Sequence, residues 1–270
     1  MITWGIAANS HDGALAVFDD DELVFASHTE RFSGLKNDPH LNKPLLQYAK
    51  QWGEPDEVIW YEKPFKKTIR QLYAGQGWNY NENNIKTYLR QFNINAPIGY
   101  SSHHESHAAA GYYTSGFKDA TILVLDSIGE WETLTIWEGK GNKLSKVFSQ
   151  EYPNSVGLWY SAMTQRVGLK PNEDEYILMG MAAYGDVRKN YHHMKETFFE
   201  LGPHDHWQFP HVRFKTNLHR GCKWYKEGYT KWTDKLNLAA ATQNIYEEIF
   251  RGLIEYCANN YKSKNLVVMG

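Results

Sequence analysis

Two histidines one helical turn apart, His103 and His107, stand in the run His103-His104-Glu105-Ser106-His107-Ala108-Ala109-Ala110, and Asp126 follows the apolar stretch Ile122-Leu123-Val124-Leu125. Residues four apart share one face of a helix, so both imidazoles can converge on one point. A carboxylate at a strand end can close the third corner. Two nitrogen donors and one anionic oxygen on one side of a cation form a facial site that suits iron and is also compatible with zinc or manganese. A cation held there polarises a carbonyl or phosphoryl oxygen as a Lewis acid. His104 points about 100° round the helix from His103 and is expected to back the site or face solvent.

A second chemically capable residue, His11, lies in the turn Asn9-Ser10-His11-Asp12. An imidazole titrates near neutrality and can take a proton from a hydroxyl as general base; the same four residues also make an ordinary polar hairpin turn. Both readings stay open on the residues alone. Glu30, Arg31 and Lys36 read as a solvated charged face, and Gly129, Gly180 and Gly185 as turn glycines. Residues 186–235 are rich in His, Trp, Tyr and Phe. His204 and His206 would share one side of a strand, but no cysteine or carboxylate pair completes a ligand set around them. An irregular insertion, with aromatics packing or stacking on a substrate ring, is the expectation there.

The bulk properties narrow the partner class. Lys and Arg total 29 against 31 Asp and Glu in 270 residues, a net charge of −2. No long basic run exists to follow a phosphate backbone, so a small molecule fits better than a nucleic acid. Two distant cysteines, Cys222 and Cys257, form no C-x-x-C pair and suggest a reducing cytoplasm. The amino terminus carries no basic-then-apolar leader, and no apolar run is long enough for a bilayer, so no membrane partner is expected.

These residues must be positioned by elements that the pattern also reveals. Three short strands at residues 2–8, 14–18 and 23–28, joined by Asp12-Gly13 and Asp19-Asp20-Asp21, read as a meander. A helix at 42–52, a strand at 58–61, helices at 66–73 and 82–92, a strand at 98–100 and a helix at 103–114 follow. From residue 120 the pattern restarts, with strands at 121–125, 133–138 and 144–151, which suggests an internal duplication. Helices are expected at 157–167, 177–183, 191–201 and 236–260. The apolar strand Leu266-Val267-Val268-Met269 ends at Gly270 with nothing after it, as if a longer domain were cut.

Six motifs, in order, carry a family likeness. They are Gly5-Ile6 to His11-Asp12-Gly13-Ala14, Thr29-Glu30-Arg31-Phe32 with Lys36, His103-His104 to His107-Ala108, Asp126 to Gly129-Glu130, Met179-Gly180-Met181-Ala182-Ala183-Tyr184-Gly185, and Leu238-Ala239-Ala240 to Gln243. Together they resemble the O-carbamoyltransferases of nodulation and antibiotic biosynthesis, over the N-terminal half of that family's catalytic domain. The resemblance implies an α/β fold of the duplicated actin/Hsp70-like, ribonuclease H-like kind. Its first lobe would be residues 1–118, and its second, truncated lobe residues 119–270, with the insertion at about 186–235. It further implies that a carbamoyl-adenylate, made from carbamoyl phosphate and ATP in a separate C-terminal domain, gives its carbamoyl group to a substrate hydroxyl here.

On that likeness His103, His107 and Asp126 are metal ligands, usually of iron, with a fourth aspartate in the missing lobe. His11 and Lys36 line the transfer site, Lys36 as a compact point charge for carbamoyl or phosphate oxygens, while Asp12, Ser127, Gly129 and Glu130 face the ATP phosphates. The departures are Ile177 for a common lysine, Ala183 for a proline, and Ser127 for a glycine, the last narrowing the phosphate approach. The missing lobe and the adenylate-forming domain could reside on another chain of a split enzyme, or the chain could be a non-catalytic, metal-binding regulatory half. The tRNA threonylcarbamoyl transferases share the His-x3-His helix more distantly; the near-neutral charge and the Glu30-Arg31-Phe32 and Met179-Gly180 motifs set this chain apart from them.

Overall fold

A computed structural model describes residues 1–270. The chain divides into two compact units, Met1–Ser106 and His107–Gly270. In the first, β1 (Ile2–Ala7), β2 (Ala14–Asp19) and β3 (Glu22–His28) form the expected antiparallel meander. One turn of helix, α1 (Glu30–Ser33), and α2 (Lys43–Ala49) lead to β4 (Glu57–Trp60), which lies parallel to β1. Helices α3 (Pro64–Tyr73) and α4 (Ile85–Arg90) precede β5 (Ile98–Tyr100), parallel to β4. The strand order is β3-β2-β1-β4-β5. Trp4, Ile6, Leu15, Val17, Val58 and Trp60 fill the core with Leu45, Leu46 and Leu89 from the helices.

Helix α5 (His103–Thr114) opens the second sheet, whose strands are β6 (Asp119–Gly129), β7 (Glu132–Lys140) and β8 (Lys143–Glu151). These again run as an antiparallel meander. Helices α6 (Val156–Arg166), α7 (Glu175–Ala182) and α8 (Tyr191–Phe198), the short ribbon of β9 (Phe199–Glu200) and β10 (Arg213–Phe214), and the long α9 (Trp232–Asn260) follow, before β11 (Leu266–Met269) pairs parallel to β6. The order β11-β6-β7-β8 repeats the first sheet's β4-β1-β2-β3. The duplicated α/β architecture is therefore present in the strand pairing itself.

The strand β6 explains why its sequence reads as an unbroken apolar run. Ile122 and Val124 enter one cluster with Ala108, Tyr112 and Val267, while Leu123 enters another with Leu134, Trp159, Leu238 and Ile245. A strand covered on both faces needs apolar residues at every position. Helix α5 covers one face and α6 with α9 the other. Small residues let α5 lie close: a Cβ added at Gly111 would stand 2.5 Å from Met269 Cγ and 2.7 Å from Val267 Cγ1.

The boundary between units falls between Ser106 and His107, inside α5, rather than at residue 118, because most of that helix packs on the second sheet. The region of residues 186–235 is irregular, and it is tied down by its aromatics. Phe198, Phe199, Phe214 and Tyr225 join the larger core, and Lys195 pairs with Glu248 of α9 at 3.1 Å between the rings of Tyr191 and Trp207. Those aromatics thus pack, while Trp224 and Trp232 are exposed. Both cysteines are free and buried, and burial pushes their thiols up to about 12 for Cys222 and about 11 for Cys257. No helix is long and apolar enough to cross a membrane.

Gly111→Ala should lower stability by about 1–3 kcal/mol in urea unfolding despite alanine's better helix propensity, because Val267 cannot swing aside. An unchanged or raised midpoint would show that α5 does not rest on β11 at this position.

Candidate metal centre

The two histidines are placed by the way α5 starts. Ser102-His103-His104-Glu105 supplies the glutamate half of a capping box, in which Glu105 Oε2 accepts from the Ser102 backbone N–H at 3.3 Å and from its hydroxyl at 3.2 Å. His103 is therefore the first helical residue, and Ser106 Oγ fastens this turn by donating to the Tyr61 carbonyl at 2.9 Å. The Tyr61 ring meets His103 edge-on, with centroids 5.5 Å apart. His103, His107 and Gly111 follow one another at every fourth position along a single stripe of the helix. Gly111 sits on β11, and one turn earlier His107 reaches the carboxyl end of the sheet. His104 lies off that stripe and is fully buried.

Asp126 meets them because β6 stops pairing regularly there. The ladder with β7 holds to Leu125↔Leu134 and resumes only at Gly129↔Glu132. Residues 126–128 thus leave the pleat, and Asp126 Oδ1 accepts from the Ser127 N–H at 2.6 Å. One ligating atom from each of His103, His107 and Asp126 lies within 4.8 Å of the others, all three residues being partly buried. Two imidazole nitrogens and a carboxylate oxygen at that spacing suit a divalent transition metal.

Two residues that the sequence reading overlooked hold this loop. Ser155 caps α6 by accepting from the Leu158 N–H at 3.0 Å, and its hydroxyl donates to the Ser127 carbonyl at 2.7 Å. A Cβ at Gly157 would lie 2.8 Å from Ser127 Cα. The α6 amino terminus therefore rests directly on residues 126–127, where its positive end favours nearby anionic groups. The serine before the apolar Val156 was the available signal, an N-cap by residue type. Ser127 is packed against Gly157, while Gly129 pairs with Glu132 and closes a two-residue turn whose first residue, Glu130, is buried with φ of 59°. A left-handed non-glycine residue is uncommon and indicates a turn held by its surroundings.

His11, Asp12 and Lys36 belong to the first unit. His11 Nδ1 lies 3.1 Å from Asp12 Oδ2, with the imidazole largely exposed. Protonated at Nδ1, the ring would donate to Asp12 and leave Nε2 as an acceptor. Asp12 adopts φ of 48°, and the turn is stitched to residues 38–40 by Gly13 N–H to the Asp38 carbonyl at 2.7 Å and Asn9 N–H to the Pro39 carbonyl at 2.8 Å. Lys36 points into solvent, but its ammonium sits 3.2 Å from Glu30 Oε2. The Asn37 backbone N–H and the Lys36 ammonium hold the Glu30 carboxyl below its ordinary range. Thus the structure brings His103, His107 and Asp126 together, and separately His11 with Asp12, while Lys36 is engaged by Glu30.

A family model described as Carbamoyltransferase N-terminus matches residues 59–270. An uncharacterized protein of Synechocystis is 34% identical over 213 residues, covering 68% of this chain and 35% of that protein. The nodulation protein NolNO of Sinorhizobium fredii is 24% identical over 275 residues, covering 96% of this chain and 40% of the relative. The chain thus spans well under half the length of either. Among solved structures, a Ppx/GppA phosphatase of Aquifex aeolicus aligns over all of this chain and 95% of its own, at 12% identity and a TM-score of 0.35.

Ser155→Ala should cost about 1–2 kcal/mol of stability, the usual range for a lost helix cap. It should also weaken divalent-metal binding, since the loop carrying Asp126 loses its hold. Retained metal affinity alongside the stability loss, measured by calorimetry and urea unfolding, would separate the cap from the site.

Proposed function

The chain belongs to the carbamoyltransferase family, and on that premise we propose that it supplies the metal-binding part of a site that moves a carbamoyl group onto a substrate hydroxyl. The observation that carries this is the convergence of His103, His107 and Asp126 within 4.8 Å. They would hold a divalent metal, iron first among the candidates. When bound, that ion supplies Lewis-acid polarisation of the carbamoyl or phosphate oxygen.

The chain's own groups divide the remaining work. Asp12 orients the His11 ring through Nδ1, and Nε2 accepts the proton of the acceptor hydroxyl as its oxygen attacks the carbamoyl carbon, while the bond from that carbon to the adenylate phosphate oxygen breaks and AMP leaves. Ser127, Gly129 and Glu130 shape the loop beside Asp126 on which the phosphates of ATP or of the carbamoyl-adenylate would rest, aided by the amino terminus of α6. Lys36 would have to leave Glu30 to meet an anionic oxygen, so its charge is held in reserve. Formation of the adenylate from carbamoyl phosphate and ATP would fall to residues other than these, since this chain covers only 35% and 40% of two of its relatives. The place of action is the cytoplasm.

Anaerobic Fe(II) titration of the 270-residue chain should give one tight site, weakened at least about tenfold by His107→Ala, in line with the loss of one of three ligands. Binding that is absent, or unmoved by that substitution, would remove the metal assignment. His11→Ala should lower carbamoyl transfer, assayed with the remaining catalytic portions supplied, by roughly 10²–10⁴-fold while leaving iron affinity unchanged. Equal loss from a variant in the 204–206 segment and none from His11→Ala would place the base elsewhere.

A further inference from the structure

Positive charge and exposed apolar surface coincide in one segment of the first unit. From Lys63 to Arg90 the chain carries six cations, Lys63, Lys66, Lys67, Arg70, Lys86 and Arg90, against the single carboxylate of Glu82, although its net charge overall is −2. Within the same segment Phe65, Ile69, Leu72 and Tyr73 of α3 are exposed, and so are Trp78 and Tyr80 in the loop that follows. Positions 65, 69, 72 and 73 fall on one stripe of a helix. A contiguous apolar group left on a surface marks a contact face.

Helix α3 is held in that orientation from its inner side. Lys67, Thr68 and Arg70 are buried. Lys67 Nζ holds Glu62 Oε1 at 2.7 Å, with side chains only 10% and 7% exposed, and Arg70 Nη1 donates to Gln76 Oε1 at 3.2 Å. Thr68 Oγ1 donates to the Pro64 carbonyl at 3.0 Å and accepts from Asn83 Nδ2 at 2.8 Å. Asn83 Nδ2 also donates to Gln71 Oε1 at 2.9 Å, which ties the helix to the segment before α4. Hydrophobic sorting alone would turn the helix the other way, with the apolar stripe inward. Breaking a buried ion pair costs more than the pair contributes, so these contacts resist that rotation. The stripe is displayed rather than left over.

The cations stand round it. Lys66 follows Phe65 and is exposed, as are Lys86 and Arg90 on α4. Lys63 and Lys86 line the same hollow as Phe65 and Tyr80, so helix, loop and cations make one patch. Trp78 stacks on Tyr80 with ring centroids 6.2 Å apart and planes 12° from parallel. Tryptophan and tyrosine join an apolar ring to one polar atom and settle at the depth of lipid headgroups. Lysine and arginine lay their stems along apolar surface while the charged end reaches outward. An amphipathic helix with aromatic and aliphatic residues on its outer side, basic residues beside them and no long apolar run has the pattern of one lying in the plane of a bilayer surface. Long-stemmed cations of one sign suit negative charge that is spread and mobile, as in a lipid leaflet, better than a fixed set of carboxylates.

We propose that the outer face of α3, the loop over residues 74–84 and α4 dock on a bilayer surface that carries anionic phospholipids. Phe65, Ile69, Leu72 and Trp78 enter the interface, and Lys66, Lys86 and Arg90 meet headgroup phosphates. Such docking needs neither a leader nor a spanning helix, so it replaces the sequence expectation of no membrane partner while agreeing that no helix is of membrane-crossing length. It does not rest on the transfer reading.

Co-sedimentation of the 270-residue chain with vesicles tests this, using phosphatidylcholine alone and phosphatidylcholine mixed with phosphatidylglycerol. The mixed vesicles should carry the chain down and the neutral ones should leave most of it in solution, with binding falling as salt is raised. Lys66→Gln and Lys86→Gln should each weaken partition roughly fivefold, the worth of one cation beside an anionic leaflet. Leu72→Ser, at an exposed position that leaves the fold intact by thermal melting, should weaken it at least as much. Trp78→Phe should remove most of the lipid-induced blue shift in fluorescence, although the chain has ten tryptophans. His107→Ala should bind vesicles as the parent chain does, which keeps this proposal apart from the metal assignment. No sedimentation with anionic vesicles, equal sedimentation with neutral ones, or binding indifferent to Leu72→Ser would overturn the proposal. So would a concentration-dependent dimer, abolished by Leu72→Ser and unmoved by vesicles, which would assign the face to a second copy of this chain.

Discussion

The close approach of α5 to β6 and β11 is the constraint on which the candidate site depends. Ala108 and Gly111 remove the bulk that would hold the helix off the sheet, and Tyr112 locks it by donating to the carbonyls of Lys118 at 2.9 Å and Gly141 at 3.0 Å. Because the ligand stripe and the contact stripe are the same row of every fourth residue, the height at which Gly111 rests decides how near His107 comes to Asp126. Metal ligands need placement within a fraction of an ångström. A helix held by small residues against strands is a stiff way to provide it.

The second requirement is an interruption. A regular β6 would send alternate side chains to opposite faces and carry Asp126 along in the pleat. The break in pairing between Leu125 and Gly129 frees three residues at the carboxyl end of the strand, the edge where α/β sheets gather their ligands. Ser155 and Gly157 then hold the freed segment from beneath, one by hydrogen bonding and the other by having no side chain. Irregular backbone beside a site is thus stabilised by the start of the next helix.

The first unit shows a related economy. Its meander turn carries His11 and Asp12, and the segment 38–40 that anchors this turn also supplies His40 to a polar cavity. One charged pair there, Glu62 with Lys67, is buried, and apolar residues on α3 are left outside. That inversion runs against the usual sorting of residues by burial.

The sequence by itself determined the strand patterns, the duplication, the family likeness and the three ligand types. Each is written in local periodicity or in short spacing: alternation and turn residues for the meanders, four-residue spacing for the histidines. It also located the ends of most helices to within a few residues, although the helix expected at 82–92 spans only Ile85–Arg90 and α9 begins earlier, at Trp232. Only the tertiary structure decided that α5 divides between the units, that Asp126 leaves the ladder, that Ser155 and Gly157 support it, and that Glu62 and Lys67 pair beside a cavity. Those facts depend on contacts between residues far apart in the chain, such as Gly111 with Met269 and Asn9 with His40, whose approach is set by how whole elements pack. Periodicity says which face of an element is apolar, but not what it meets.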